Sequence, residues 1–282
     1  MQWLRGPTYD SKRELDEMRA HLKLSETDFK VKDLLKENKY VAPMALLLFY
    51  QLARQSMGYF NIIGHTVQIF EDAGTDHESA FDPFWATVVN GVGDILAQIV
   101  SSVVVETVGR RKPILLSTFL IGIFHVGFAI YMYYWTSTEP ADRSEGLIST
   151  SRWLPMLSIY GFTFTFCIGM SNVLLVLMGE LLPLKIKNFA FSLCFAFNTL
   201  CQFLMTKSWN KGLAWLGYHG TFSIYAVAGV ITFFVSIWLL PETKGKTLLE
   251  IEILLGRQEI SRRESLRLRE KKSNASTMTP DP

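Results

Sequence analysis

The sequence predicts an all-α membrane protein of six transmembrane helices, with short cytoplasmic helices before and after them. Three observations lead there. Apolar stretches of about 20 residues or more recur, long enough at 1.5 Å rise to cross a hydrocarbon core roughly 30 Å thick. Apolar residues make up 49% of the 282-residue chain. The basic residues are sorted by segment, as the positive-inside rule requires.

In chain order, the first 40 residues read as a cytoplasmic segment with helical signals. Ser11 with Glu14 and Ser25 with Asp28 are spaced as capping boxes, and Leu15, Met18 and Leu22, then Val31, Leu34 and Leu35, recur at helical spacing. Residues 41–240 hold the six spans, near 41–70, 83–105, 113–135, 153–178, 189–210 and 219–240. No water is available in a bilayer to satisfy backbone groups, so spans of this length must be helices; strands would need only about 9–11 residues and a closed barrel. Residues 241–282 form the tail, where Thr247 with Glu250 starts a short amphipathic helix through Leu248, Ile251 and Leu255. Beyond Lys272 the composition is that of a disordered end.

Orientation follows from the charges. Arg5 to Lys39 precede the first span, Arg110, Arg111 and Lys112 follow the second, Lys185 and Lys187 follow the fourth, and the tail carries a further basic run. The loop after the first span holds Glu71, Asp72, Asp76, Glu78 and Asp82 without Lys or Arg. Both termini are therefore expected in the cytoplasm of a multi-pass protein; the charges do not distinguish the cell membrane, the expected location, from an internal one. Lys207 and Lys211 run against this sorting in the last outer loop.

A net charge of +2 says little about partners once the charges are divided by membrane side. The basic tail reads as a topology signal with weak attraction to membrane lipid, and no nucleic-acid partner is expected. Cys167, Cys194 and Cys201 fall within spans, as small apolar groups. His65, His125 and His219 lack ligand spacing and read as core or interface residues, so no metal and no cofactor are expected. Trp135, Trp153, Trp215 and Trp238 near span ends fit an aromatic belt. Gly91, Gly93, Gly161 and Gly169 fit close helix contact. Asn274 opens a glycosylation sequon on the cytoplasmic side, where it stays unmodified. Neither a phosphate-binding glycine loop nor a nucleophile and base arrangement is legible, so no enzyme is expected.

Several motifs then fall in order. Trp3 to Gly6 (WLRG) with the stretch Asp10 to Met18, Thr66 to Gly74 (TVQIFEDAG), Glu106 to Lys112 (ETVGRRK), Met178 to Lys187 (MGELLPLKIK) and Pro241 to Gly245 (PETKG) together resemble the C-terminal half of the sugar porter branch of the major facilitator superfamily, in particular facilitated trehalose and glucose transporters. The resemblance covers nearly the whole chain. It implies a transporter moving a small solute, possibly a sugar in class, by alternating access between two six-helix halves. This chain would supply one half, completed by a missing N-terminal half or a second copy. A non-transporting sensor or scaffold derived from a transporter, or an inactive truncated half, is the alternative.

The resemblance also names site residues. Arg110 and Arg111, with Glu106, Glu180, Lys187 and Glu242, fall where the family locks its cytoplasmic side through ion pairs. A plain topology role for Arg110, Arg111 and Lys187 competes with gating. In the substrate cavity the family pattern falls on Arg54, Gln55, Ser56, Met57, Gly58, Tyr59 and Phe60, of which only Gln55 and Gly58 are kept; Gln51 could stand in for Gln55 if the register shifts. A sugar-binding Asn of the next helix becomes Asp94, the later proline and tryptophan pattern becomes Ser171 to Leu175, and a further tryptophan becomes Thr199, while Asn198 and Gln202 remain one turn apart. Gly64 and His65 replace two outer-gate aromatics. The cavity candidates are thus Arg54, Gln55, Asp94, Asn198 and Gln202. Charged groups within spans cost about 2.5–3.5 kcal/mol each on insertion scales, so an Arg54–Asp94 ion pair is expected; snorkelling of Arg54 to an interface is the competing reading.

Overall fold

A computed structural model describes residues 38–74, 82–139, 145–182, 186–240 and 242–245. The capping boxes at Ser11, Ser25 and Thr247, the WLRG segment, Lys185, Pro241 and the sequon at Asn274 lie outside the described residues. Among the described residues the regular structure is entirely helical: α1 Asn38–Ser56, α2 Tyr59–Gly64, α3 Thr66–Asp72, α4 Pro83–Val108, α5 Arg111–Ser137, α6 Glu145–Phe166, a π turn Cys167–Ser171, α7 Asn172–Leu181 and α8 Lys187–Leu239.

Among the described residues, four stretches are long and apolar enough to cross a membrane: Pro83–Val108, Arg111–Ser137, Trp153–Leu181 and Lys187–Leu239. The last has 53 residues. At 1.5 Å per residue it would be about 80 Å long, far beyond a bilayer. It is not straight, because Gly217 leaves helical geometry (φ 65, ψ −177) and separates two arms. The first expected span differs more. It is broken at Gly58, which takes the left-handed conformation (φ 75), and again at His65. An added Cβ at Gly58 would lie 2.2 Å from the Tyr225 ring, so both conformation and space require glycine there.

Local sequence explains the other ends. Asp82 caps α4 by accepting from the Phe84 N–H at 2.9 Å, with Pro83 in the first helical position, where its missing N–H costs nothing. Gly109 ends α4 at φ 103. The π turn inserts at Cys167 between α6 and α7, a local widening often found at functional positions.

The described residues fall into two compact units. The larger comprises Ala45–Glu180 and Leu193–Lys246; residues 38–44, 181–182 and 186–192 belong to the smaller, in which Leu182, Ile186 and Ala190 are buried. In the larger unit the core is aromatic. His125 packs on Phe162 at 4.3 Å and Phe128 on Phe222 at 4.2 Å between ring centroids. Side-chain hydroxyls tie helices to one another: Tyr160 to the Ala86 carbonyl at 2.7 Å, Thr163 to Asn90 Oδ1 at 2.8 Å and Ser101 to the Ile168 carbonyl at 2.9 Å. Large apolar side chains such as Ile95, Ile99, Val103 and Phe234 are exposed. Such faces are too extensive for water and suit lipid.

Several local expectations need adjusting. Trp153, Trp215 and Trp238 expose their rings, but Trp135 is buried against Tyr131 and beneath Gly74. Gly161 and Gly169 do sit where a Cβ would strike Phe124 and Ser117, whereas Gly91 and Gly93 face open space. His125 is a core residue, as expected, with its Nε2 3.1 Å from the Met57 carbonyl at the break in the first span. That carbonyl has lost its helical partner, and the imidazole supplies another.

Candidate functional site

Of the six residues expected at the gate, Arg110, Arg111, Glu180 and Glu242 meet at the turn between α4 and α5. Gly109 brings the backbone round so that the N–H groups of Arg110 and Arg111 both point at Glu242, donating to its two carboxylate oxygens at 3.1 and 3.2 Å. Space is as strict as conformation there, since a Cβ on Gly109 would lie 2.9 Å from Glu242 Oε1. The Arg110 guanidinium turns the other way and grips Glu180 near the end of α7, Nε to Oε2 at 3.2 Å and Nη2 to Oε1 at 2.5 Å. Its remaining nitrogen donates to the Val105 carbonyl at 3.1 Å. The Thr243 hydroxyl adds a 2.6 Å hydrogen bond to Glu180 Oε2, and the Lys244 ammonium caps the Thr107 carbonyl. Three helix ends are thereby clasped by one arginine and two carboxylates.

The clasp is neither fully buried nor fully wet: the Arg110 and Glu180 side chains are 16% and 25% exposed. Burial pushes the Glu242 carboxyl up, but the backbone N–H groups of Arg110, Lys244, Arg111 and Thr243 outweigh it and hold the group below its ordinary value of 4.5. The Arg111 guanidinium does not pair with a carboxylate as the sequence implied. It donates through Nη2 to the Ile237 carbonyl at 2.6 Å, near the end of α8. Glu106 is exposed, one turn before the clasp. Lys187 opens α8 within the smaller unit.

Of the cavity candidates, Gln55 and Asn198 are brought together. Gln55 Nε2 donates to Asn198 Oδ1 at 2.7 Å, a buried bond between α1 and α8. Gln202, one turn on from Asn198, is half-buried. Gln51 occupies a separate position, with Nε2 3.1 Å from Met178 Sδ and its carbonyl oxygen buried without a hydrogen bond. Thr199 is exposed and bonds within its own helix.

Arg54 and Asp94 do not form the expected ion pair. Asp94 receives the Tyr59 hydroxyl at 3.4 Å and stands 3.9 Å from the Cys167 thiol. Tyr59 and Cys167 also touch one another at 3.5 Å. Arg54 lies over the Phe60 ring at 5.8 Å, and its Nε is buried without a hydrogen-bond partner. Sequence reasoning missed Tyr59 and Cys167. Tyr59 is locked by stacking on Phe166, 4.2 Å between centroids, and Cys167 is placed by the π turn, so it is not merely a small apolar group. Helical periodicity carries no signal for a π turn, although a tyrosine next to the Gly58 break was readable as polar.

Past the second break in the first expected span, His65 bonds the Asn61 carbonyl through Nδ1 at 2.9 Å and packs 5.3 Å from Trp209. The TVQIFEDAG motif is pinned by two tyrosines: Tyr218 donates to Asp72 at 2.6 Å and Tyr131 to the Ala73 carbonyl at 2.6 Å.

Comparison with known proteins bears on the family and the fold. Residues 1–255 match the family described as "Sugar (and other) transporter". The facilitated trehalose transporter Tret1 of Apis mellifera ligustica is 29% identical over 255 residues, covering 89% of this chain and 48% of its own length. Tret1 of Drosophila virilis is 31% identical over 253 residues, covering 89% and 26%. The chain thus spans about half the length, or less, of these relatives. Among solved structures, the proton:xylose symporter XylE of the major facilitator superfamily, bound to 6-bromo-6-deoxy-D-glucose, aligns with TM-score 0.67 at 20% identity over 86% of this chain and 48% of its own. The inward-open xylose transporter XylE from E. coli aligns with TM-score 0.60 at 18% identity, over 90% and 48%. With this match over nearly its whole length, the chain belongs to the sugar (and other) transporter family, as a multi-pass membrane protein with the major facilitator fold.

Proposed function

We propose that this chain forms one six-helix lobe, the C-terminal half, of a sugar-porter-type transporter that moves a sugar or related small solute by alternating access. The lobe works beside an N-terminal half or a second copy. The single observation behind this reading is the clasp of Arg110 on Glu180 with Glu242 on the adjoining backbone, three helix ends held by contacts weak enough to break. Partly exposed ion pairs contribute little each, about 0–1 kcal/mol, so a set of them can bias an equilibrium between two states without freezing either. The six crossings are the broken first span, α4, α5, α6 with α7, and the two arms of α8 either side of Gly217. The positive-inside rule puts the clasp and both termini in the cytoplasm of a cell-membrane protein. The buried Gln55–Asn198 pair supplies amides of the kind that read sugar hydroxyls.

The test is uptake. The whole coding sequence holding this chain, expressed in cells devoid of endogenous sugar uptake, should give saturable entry of labelled trehalose, glucose or a related solute. Arg110→Ala should alter the rate. Absence of uptake for every solute tried, with the protein intact at the membrane, overturns the reading. One observation favours the alternative of a non-transporting sensor or scaffold: Arg54, Phe60 and Asp94 occupy positions where the resemblance places neutral amides, and Tyr59 closes on Phe166 and Cys167. That alternative predicts no uptake together with a stable, membrane-inserted lobe.

A further inference from the structure

Arg54 poses a charge problem that the described residues do not solve. Its guanidinium stays protonated under all ordinary conditions, and it sits within the first span, where an uncompensated cation is costly. Among the described residues it has no carboxylate partner. Asp94, the acid expected to pair with it, is instead engaged by Tyr59 and Cys167. Asp72, at the end of α3, is taken by Tyr218. What Arg54 does have is the Phe60 ring 5.8 Å away, which attracts a cation without neutralising it. Its Nε is buried with no acceptor, although a guanidinium presents its donors as a planar fork suited to two oxygens of one group. Gln55, the next residue, is half used: Nε2 holds Asn198, and no hydrogen bond is made by Gln55 Oε1 or Asn198 Nδ2 among the described residues.

We infer that Arg54 is the anchor for the carboxylate of a solute, so that this lobe takes a hydroxylated organic anion, a sugar acid, in preference to a neutral hexose. The inference deepens the reading of the lobe as a solute carrier and rests on it. The carboxylate supplies both the missing charge and the acceptor for Nε. The Gln55 and Asn198 amides serve hydroxyls, and the loss of the family's neutral contacts at positions 54, 60 and 94 becomes a change of substrate class.

D-glucuronate and D-glucose share a ring and differ at one carbon, carboxylate against hydroxymethyl, so they isolate the anchor. Binding of each is measured by calorimetry to the full chain in phosphatidylcholine nanodiscs, for wild type, Arg54→Gln and Arg54→Lys. Glucuronate should bind at least about tenfold more tightly than glucose, as a charge-assisted hydrogen bond allows. Arg54→Gln should erase that preference, and Arg54→Lys, which keeps charge without the fork, should retain only part of it. Equal affinities in wild type, or a preference that survives Arg54→Gln, overturns the inference. Melting temperature gives a second reading: removing an unpaired guanidinium should raise it in the ligand-free Arg54→Gln protein, whereas a fall reveals a carboxylate partner within the chain and also overturns the inference. Saturable glucose uptake indifferent to glucuronate and to Arg54→Gln leaves transport standing and removes the inference. Arg54-dependent glucuronate binding without any uptake does the reverse.

Discussion

Arg110 holds Glu180 through two parallel hydrogen bonds, Nε to Oε2 at 3.2 Å and Nη2 to Oε1 at 2.5 Å, and so joins the α4–α5 turn to the end of α7. Bidentate charge-assisted pairs are the stronger and more directional kind. A double-mutant cycle of Arg110→Ala and Glu180→Ala should therefore give a coupling energy of about 1 kcal/mol, toward the upper end for partly exposed pairs. Thermal unfolding in detergent measures it, and additivity of the two variants would show the pair to be energetically idle.

Gly109→Ala should be more damaging than either. The position combines φ 103 with a Cβ contact of 2.9 Å to Glu242, so alanine both strains the backbone and dislodges the carboxylate that satisfies two backbone N–H groups. A loss of about 1–3 kcal/mol is expected, seen as a lower melting temperature. An unchanged temperature would mean that the turn relaxes freely.

Acid should loosen the same clasp. The native Glu242 carboxyl lies below its ordinary value, so the folded state binds its proton less readily than the unfolded chain does. Its contribution is fully present above the ordinary value of 4.5 and is lost as pH falls through the lowered native value. Wild type should thus lose more stability than Glu242→Gln between pH 5 and about pH 3, where carboxylates titrate. Parallel melting curves across that window would contradict the arrangement.

Asp94→Asn should leave the protein stable. Asp94 accepts from Tyr59 at 3.4 Å and has no arginine partner among the described residues; the amide keeps an acceptor oxygen and removes a charge from the membrane. The amount of folded, membrane-inserted protein should hold or rise. A fall equivalent to about 3–5 kcal/mol is the signature of a broken buried ion pair and would restore the Arg54–Asp94 partnership.

Much of this was legible in the sequence because lipid demands it. Apolar length marked α4, α5 and the α6–α7 stretch, and the GRRK, GEL and PETKG segments named the clasp residues before any geometry. The break at Gly58 was hidden, because an apolar run of 30 residues reads the same whether its helix is continuous or not; the left-handed turn of Gly58 and the Tyr225 ring that a Cβ there would strike show why that residue is glycine. Arg54 and Asp94 were correctly read as unusual, but charge alone does not fix distance, and the π turn that brings Cys167 to Asp94 leaves no trace in a periodicity of 3.6. Arg111 was assigned a carboxylate from the family resemblance, whereas the backbone N–H groups of the turn took Glu242 first.

The central claim is a lobe of six crossings with its clasp facing the cytoplasm, and sided labelling tests it most directly. Single cysteines placed at Lys112, Lys244, Glu71 and Lys211 in a chain whose native Cys167, Cys194 and Cys201 are replaced are exposed to a membrane-impermeant maleimide in intact cells. The account predicts reaction at positions 71 and 211 and protection at 112 and 244 until the cells are opened. Labelling of 112 and 244 from outside, or of neighbouring turns on the same side, would contradict it.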